Sequence, residues 1–242
     1  MDAVQNSWFD GPAGRRVLEA EVRLLEAAYA TLFGYWIVQL GTWGRDLELL
    51  SDSKIRGRAL ITEDAGVGGV ASAAHALALS SDSIDAVLLP HTLETSPEPH
   101  AVLRETERVL VGEGHALIFG FSPWSAWGVR RRFAEPGDRP WRGRYISEYR
   151  LTDWLRLLGF ETVRTEHYLH GLPSEHPAVL RRLEFTAAIG RRCWPGFAGG
   201  YFIIARKRVS ALTPLKLAHR RRKKALVGGL VKPTTHSPPC HG

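Results

Sequence analysis

Residues 84–122, IDAVLLPHTLETSPEPHAVLRETERVLVGEGHALIFGFS, leave this chain few folds to choose from. The apolar run from Ile84 contains β-branched members and stops at Pro90, which lacks an N–H. That is the pattern of a strand covered on both faces, in the middle of a parallel sheet. After a loop at 95–99, Ala101, Val102, Leu103, Val109 and Leu110 recur at helical spacing among Arg104, Glu105, Glu107 and Arg108. Gly112 and Gly114 read as the end of that helix. Residues 116–121 supply a second apolar strand. Strand, helix and strand in this order make a right-handed βαβ unit, so an α/β fold is expected.

Asp85 within the first strand, Leu93, the His-x-x-Glu pair His91 and Glu94, and L-R-E-x-x-R-V-L-x-x-x-G (Leu103, Arg104, Glu105, Arg108, Val109, Leu110, Gly114) resemble the second half of a class I S-adenosylmethionine-dependent methyltransferase domain. The run PH-x-LE-x-x-x-x-PH from Pro90 to His100, followed by GFSPWSAWGVRR from Gly120, is similar to the YafS-like bacterial branch of that superfamily. The resemblance spans residues 32–208. It implies a Rossmann-like, seven-stranded sheet, mostly parallel with the last strand antiparallel and helices on both faces. It also implies S-adenosyl-L-methionine as cofactor and a methyl acceptor at the carboxyl ends of the strands.

A length of 242 residues, 44% hydrophobic with 8 Trp, is ample for one large core with appendages. The expected division is an N-terminal helical cover (1–34), the methyltransferase-like domain (35–209, with an insertion at 169–199) and a basic, mobile tail (210–242). Of the 32 Lys and Arg, ten lie from Arg206 onward with no acid among them, which leaves 22 basic against 25 acidic groups before that point. The body is slightly acidic. The tail invites nonspecific contact with phosphates or anionic lipid heads, although solvation alone explains such a run. No stretch reaches the eighteen or so apolar residues of a membrane span and residues 1–5 carry no signal pattern, so a cytoplasmic location is expected. Cys193 and Cys240 lack metal or redox spacing, and no disulfide framework or metal site is expected.

Residues 17–32 read as an amphipathic helix with Leu18, Val22, Leu25, Ala28, Tyr29 and Leu32 on one stripe. Trp8 and Phe9 either anchor its entry or lie loose. Residues 35–40 form the first strand, and Gly41-Thr42-Trp43-Gly44 follows where the resemblance puts a glycine-rich cofactor loop. Glycine suits such a loop because the backbone must turn sharply and approach a ligand without a Cβ between them. Gly41 and Gly44 keep that option, while Gln39 stands in place of an acid and Trp43 in place of a small residue. A mere strand-to-helix turn is the competing reading. A short helix starts at Asp46, and residues 59–62 form the second strand. Glu63 or Asp64 at its end would accept the ribose hydroxyls, unless they are only loop solvation. The resemblance puts an adenine-binding Asp where this chain has Ala73, so only backbone contacts from Ala74 and His75 remain.

His91, Glu94 and His100 follow the central strand, where an open α/β sheet offers its substrate crevice. His91 is the candidate base, since an unperturbed imidazole titrates near neutral pH; the alternative is that His91 and Glu94 cap the following helix. Trp124 and Trp127 either wall an acceptor pocket with Glu94 or plug the core, and Arg130, Arg131 and Arg132 either hold an anion or form a solvated turn. A helix at 147–158, a strand at 160–168 and a last strand at 201–207 complete the domain. Two functions follow: methyl transfer to a small-molecule acceptor, or a methyltransferase-fold binding module that has lost catalysis. RNA as acceptor is disfavoured by the acidic body and by the absence of an N-P-P-Y-like motif.

Overall fold

The computed structural model describes residues 8–44, 49–63, 69–131, 143–170 and 198–209. Asp46, Asp64, Arg132, both cysteines, most of the expected insertion and the tail lie outside the described residues. Met1–Val209 forms one compact unit.

Helix α1 (Pro12–Tyr29) leads into the strands β1 (Trp36–Leu40), β2 (Gly57–Thr62), β3 (Val70–Ala71) and β4 (Ile84–Pro90). A single turn, α2 (Thr92–Thr95), and α3 (Pro99–Val109) precede β5 (Leu110–Phe121). Helices α4 (Ala126–Arg131) and α5 (Glu148–Leu157) and the strands β6 (Phe160–Tyr168) and β7 (Gly200–Lys207) complete the order. The sheet has seven strands in the order β3-β2-β1-β4-β5-β7-β6. The first five run parallel, and β7 is antiparallel to both β5 and β6. This is the Rossmann-like sheet with an antiparallel last strand that the resemblance implied.

Alternation along the central strands feeds two apolar layers. Ile37, Ala86, Leu88, Leu117 and Phe119 face one side with α1 residues Val17, Leu25 and Ala28. Val38, Val87, Leu89, Ala116 and Ile118 face the other with Val102 and Leu103 of α3 and Leu151 and Leu155 of α5. Successive strand residues point to opposite faces, so a strand covered on both sides must be apolar throughout, as 84–90 is.

Two expectations need correction. Helix α3 stops at Val109, and Gly112 and Gly114 lie inside β5 rather than at a helix end. The ladder to β4 jumps there from Ile84↔Leu110 to Ala86↔His115, with Glu113 at φ 66°. A Cβ on Gly114 would come within 2.9 Å of the Val111 carbonyl and 3.1 Å of the Asp85 carbonyl, so close backbone approach selects the glycine. Second, Leu25, Ala28, Tyr29 and, just past the helix, Leu32 are buried as expected, but in the first half of α1 Val17 and Glu21 take the places expected of Leu18 and Val22, which are only partly buried. The remaining strand, β3, is two residues long, too short to leave a sequence signal. The entry to α1 is anchored: Phe9 is buried and meets Trp43 edge-on at 5.0 Å.

Candidate functional site

Parallel strands end on one edge, so Leu40, Thr62, Pro90 and Phe121 finish together. The pairings Phe121↔Gly200 and Tyr168↔Gly200 bring the end of β6 to the same edge. His91 comes straight after Pro90 with φ 56° and ψ 15°, the left-handed region that a non-glycine residue occupies only when its surroundings hold it there. Its ring is 1% exposed and lies between Trp43 (centroids 4.1 Å) and Phe121 (4.2 Å).

Both imidazole nitrogens meet carboxylates. His91 Nδ1 is 2.9 Å from Glu94 Oε2, and Nε2 is 2.9 Å from Glu21 Oε1, a side chain brought in by the buried stripe of α1. Glu94 Oε1 accepts the Phe121 backbone N–H at 2.6 Å. Glu21 accepts the Trp43 indole N–H on Oε2 at 2.6 Å and the Tyr168 hydroxyl on Oε1 at 2.8 Å. With an acceptor on each side, the ring carries both protons. Burial opposes that charge, but Glu94 and then Glu21 outweigh it and lift the His91 pKa to about 9. Burial pushes the Glu94 carboxyl up even against the neighbouring imidazolium. The cluster therefore holds its protons tightly at neutral pH.

The edge expected to meet the cofactor is built differently. The Gly41 N–H extends the ladder by donating to the Ile61 carbonyl at 2.8 Å, and Gly41 then turns with φ 84°. Thr92 Oγ1 donates to the Leu40 carbonyl and ties the turn to α2. Gly44 also has positive φ, 69°. Gln39 is fully buried; its Nε2 donates to the Gly41 carbonyl at 3.0 Å, while its Oε1 has no partner among the described residues. Glu63 is exposed just past β2. Ala74 and His75 form the tip of a tight turn closed by the Ala73↔Ala76 bridge, with His75 exposed.

Among the other expected residues, Trp127 is buried and stacks on Phe121 at 5.7 Å, whereas Trp124 is 77% exposed. His100 leaves the cluster altogether and packs on Trp154 of α5 at 3.8 Å. The sequence reading missed Glu21 and Tyr168. Glu21 had a signal: a lone carboxylate at i+4 from Val17 and i−4 from Leu25, in the centre of a stripe that buries. Tyr168 had none beyond its place at the end of β6.

A family model described as a methyltransferase domain matches residues 50–118. The uncharacterised protein YafS of Escherichia coli is 29% identical over 213 residues, covering 86% of this chain and 84% of that one. Among solved structures, an S-adenosylmethionine-dependent methyltransferase from Thermotoga maritima aligns with TM-score 0.62 at 19% identity, covering 84% of this chain and 94% of that one. The [4+2]-cyclase SpnF aligns with TM-score 0.54 at 18% identity, covering 79% and 81%. The domain match over residues 50–118 and the sheet order give this chain the fold of the class I S-adenosylmethionine-dependent methyltransferases, and S-adenosylmethionine is the cofactor that this similarity supports. Its similarity to YafS runs over most of both chains. No helix among the described residues is long and apolar enough to cross a membrane.

Proposed function

We propose that the protein transfers the methyl group of S-adenosylmethionine to a small-molecule acceptor at the carboxyl edge of β1, β4 and β5. The observation that carries this reading is the pairing, on one sheet edge, of a left-handed glycine turn beside an unpaired buried acceptor with a hydrogen-bonded acid–base cluster. The edge fits the cofactor. Gly41 leaves room for close backbone approach, and Gln39 Oε1 is a buried oxygen in need of a donor such as an ammonium. Glu63 stands ready for ribose hydroxyls, and the turn at Ala74 and His75 offers backbone groups to the base. When bound, the cofactor supplies a methyl group on a sulfonium, whose transfer needs alignment and exclusion of water more than proton chemistry.

The residues of this chain supply that alignment. Phe121, Trp127 and Trp43 exclude water, Thr92 fixes the glycine turn, and Glu94 locks the His91 ring. In this reading His91 acts as a fixed cation with two N–H donors rather than as a proton acceptor, since neither nitrogen has a free lone pair while Glu21 and Glu94 hold it.

A second reading, a binding module without turnover, is favoured by Trp43 and Glu21 occupying the space beside the glycine turn, and the likeness to a cyclase illustrates that this fold serves other chemistry. Titration calorimetry with S-adenosylmethionine and S-adenosylhomocysteine tests both readings. Saturable heat with either supports cofactor use, and the absence of heat and of any melting shift at millimolar ligand overturns it. Cofactor binding that never leads to a methylated product across a panel of small acceptors favours the module.

A further inference from the structure

Three donors converge on one carboxylate. The His91 Nε2–H, the Tyr168 O–H and the Trp43 Nε1–H all point at Glu21, at 2.9, 2.8 and 2.6 Å. All four side chains are more than nine-tenths buried. Two of the donors sit at the carboxyl ends of β4 and β6, and the third sits in the glycine turn after β1, so the fixed sheet carries the whole donor set. The acceptor comes from elsewhere: Glu21 belongs to α1, which lies across one face of the sheet. The donors thus form a preorganised carboxylate hole, and the chain fills it with a side chain of its own covering helix.

We propose that this hole is a ligand site for the carboxylate of a small molecule, and that Glu21 is its intramolecular stand-in, released when the ligand arrives. The proposal rests on the methyltransferase reading for its place beside the cofactor edge, and it names the chemistry the site takes. Exchanging one carboxylate for another keeps every donor paired and the local charge unchanged. A neutral or cationic ligand would leave a buried imidazolium, an indole N–H and a phenol O–H without acceptors, a desolvation cost such a ligand could not offset. The hole also explains why His91 holds both of its protons: a carboxylate is an anion at neutral pH, so a site that binds one needs a donor and not a base. Because Glu21 competes at the high effective concentration of a tethered group, the intact chain binds carboxylates more weakly than the donor set alone would.

The carboxylate has two sources, the amino-acid end of the cofactor and a carboxylated acceptor. Glu21→Gln keeps the shape and loses the charge; Glu21→Ala empties the hole. Calorimetry and thermal melts of the full chain use S-adenosylhomocysteine, 5′-methylthioadenosine, which lacks the amino-acid carboxylate, and sodium acetate or benzoate against acetamide at equal ionic strength. If the cofactor carboxylate takes the hole, both variants bind S-adenosylhomocysteine at least tenfold more tightly than the natural chain, with methylthioadenosine unchanged. If an acceptor carboxylate takes it, the nucleoside affinities stay level, while acetate or benzoate raises the melting temperature of Glu21→Ala and acetamide does not. In either case, adding Tyr168→Phe reverses most of the gain. The acetate arm needs no cofactor, so a chain that ignores S-adenosylhomocysteine fails the methyltransferase reading without failing this one. Variants that do not fold, or that respond to no carboxylate, make Glu21 a fixed core residue and overturn the proposal.

Discussion

The two halves of the carboxyl edge are built on opposite plans. On the β2–β3 side, the groups expected to meet the nucleoside are exposed or at a turn: Glu63 past the strand end, His75 at the tip of a bridge-closed turn, and Ala73 where a carboxylate is implied by the family. On the β4–β5–β6 side, Glu21, His91, Glu94, Trp43 and Tyr168 form a buried network in which every charged group has partners. The side that carries the recognisable motif pairs its charges internally, and the side proposed to meet the cofactor's sugar and base relies on backbone and solvent-facing groups. Charge that is buried must be paired before any ligand arrives, whereas exposed groups can wait in water until binding.

That contrast is sharpest at Glu94. Glu94→Ala removes one of the two partners of a buried imidazolium and leaves the Phe121 N–H without an acceptor, so it should cost about 3–5 kcal/mol. For a domain of this size that lowers the melting temperature by roughly 6–20 °C, and differential scanning calorimetry reads it. A loss below about 1 kcal/mol, the level of an exposed pair, would mean that the two halves are not built differently.

Proton linkage gives the next largest effect. Glu94 and Glu21 hold the folded His91 pKa at about 9, above its unfolded value near 6.5. The resulting stabilisation is fully present below pH 6.5 and fades as the pH rises through 9. The whole swing is roughly 3 kcal/mol, and the raised Glu94 carboxyl acts in the same direction. Urea denaturation from pH 6 to 9.5 should show this decline, and His91→Gln should flatten it. A pH-independent midpoint in the natural chain would show that the ring is neutral when folded.

On the cofactor half, Gly41→Val places a β-branched side chain at φ 84° with Thr92 Oγ1 only 3.4 Å from the new Cβ. The strain is about 1–3 kcal/mol, so the circular dichroism spectrum should persist while S-adenosylhomocysteine affinity falls at least tenfold. Unchanged affinity would reduce the loop to a plain turn. The smallest effect is expected at Glu105, whose carboxylate accepts the Leu77 N–H at 2.9 Å and pairs with Arg108. Glu105→Ala should cost about 1 kcal/mol or less, visible as faster amide exchange at Leu77 with the β4–β5 core unaffected.

Legibility followed the same division. Strands β4 and β7 could be read because they are apolar runs covered on both faces, helices α3 and α5 because each buries a regular apolar face, and Ser147 marked the start of α5 by capping Arg150 N. The start of β5 could not, because Gly112 and Gly114 resemble a helix terminus, and only the nearness of the Asp85 carbonyl explains the glycine at 114. His91 and Glu94 stood out as a pair three residues apart. Their partners Glu21 and Tyr168 lie 70 and 77 residues from His91 along the chain, and no local pattern connects them. The hydrogen bonds that define the site exist only once the sheet has brought the strand ends together.

Asp85 sits inside the apolar run of β4, at the edge of the sheet away from the site, and its Oδ2 accepts the backbone N–H groups of Tyr35 and Trp36 at 2.8 and 2.9 Å. It works as the zero mark of a ruler. From that clamp, β1 measures five residues to Leu40 and β4 five to Pro90, and at about 3.3 Å per residue the glycine turn and His91 arrive level with each other. Deleting one residue from either strand would move its end by that step and turn every later side chain to the opposite face, so the length of two strands, fixed by one distant carboxylate, sets whether the halves of the site meet at all.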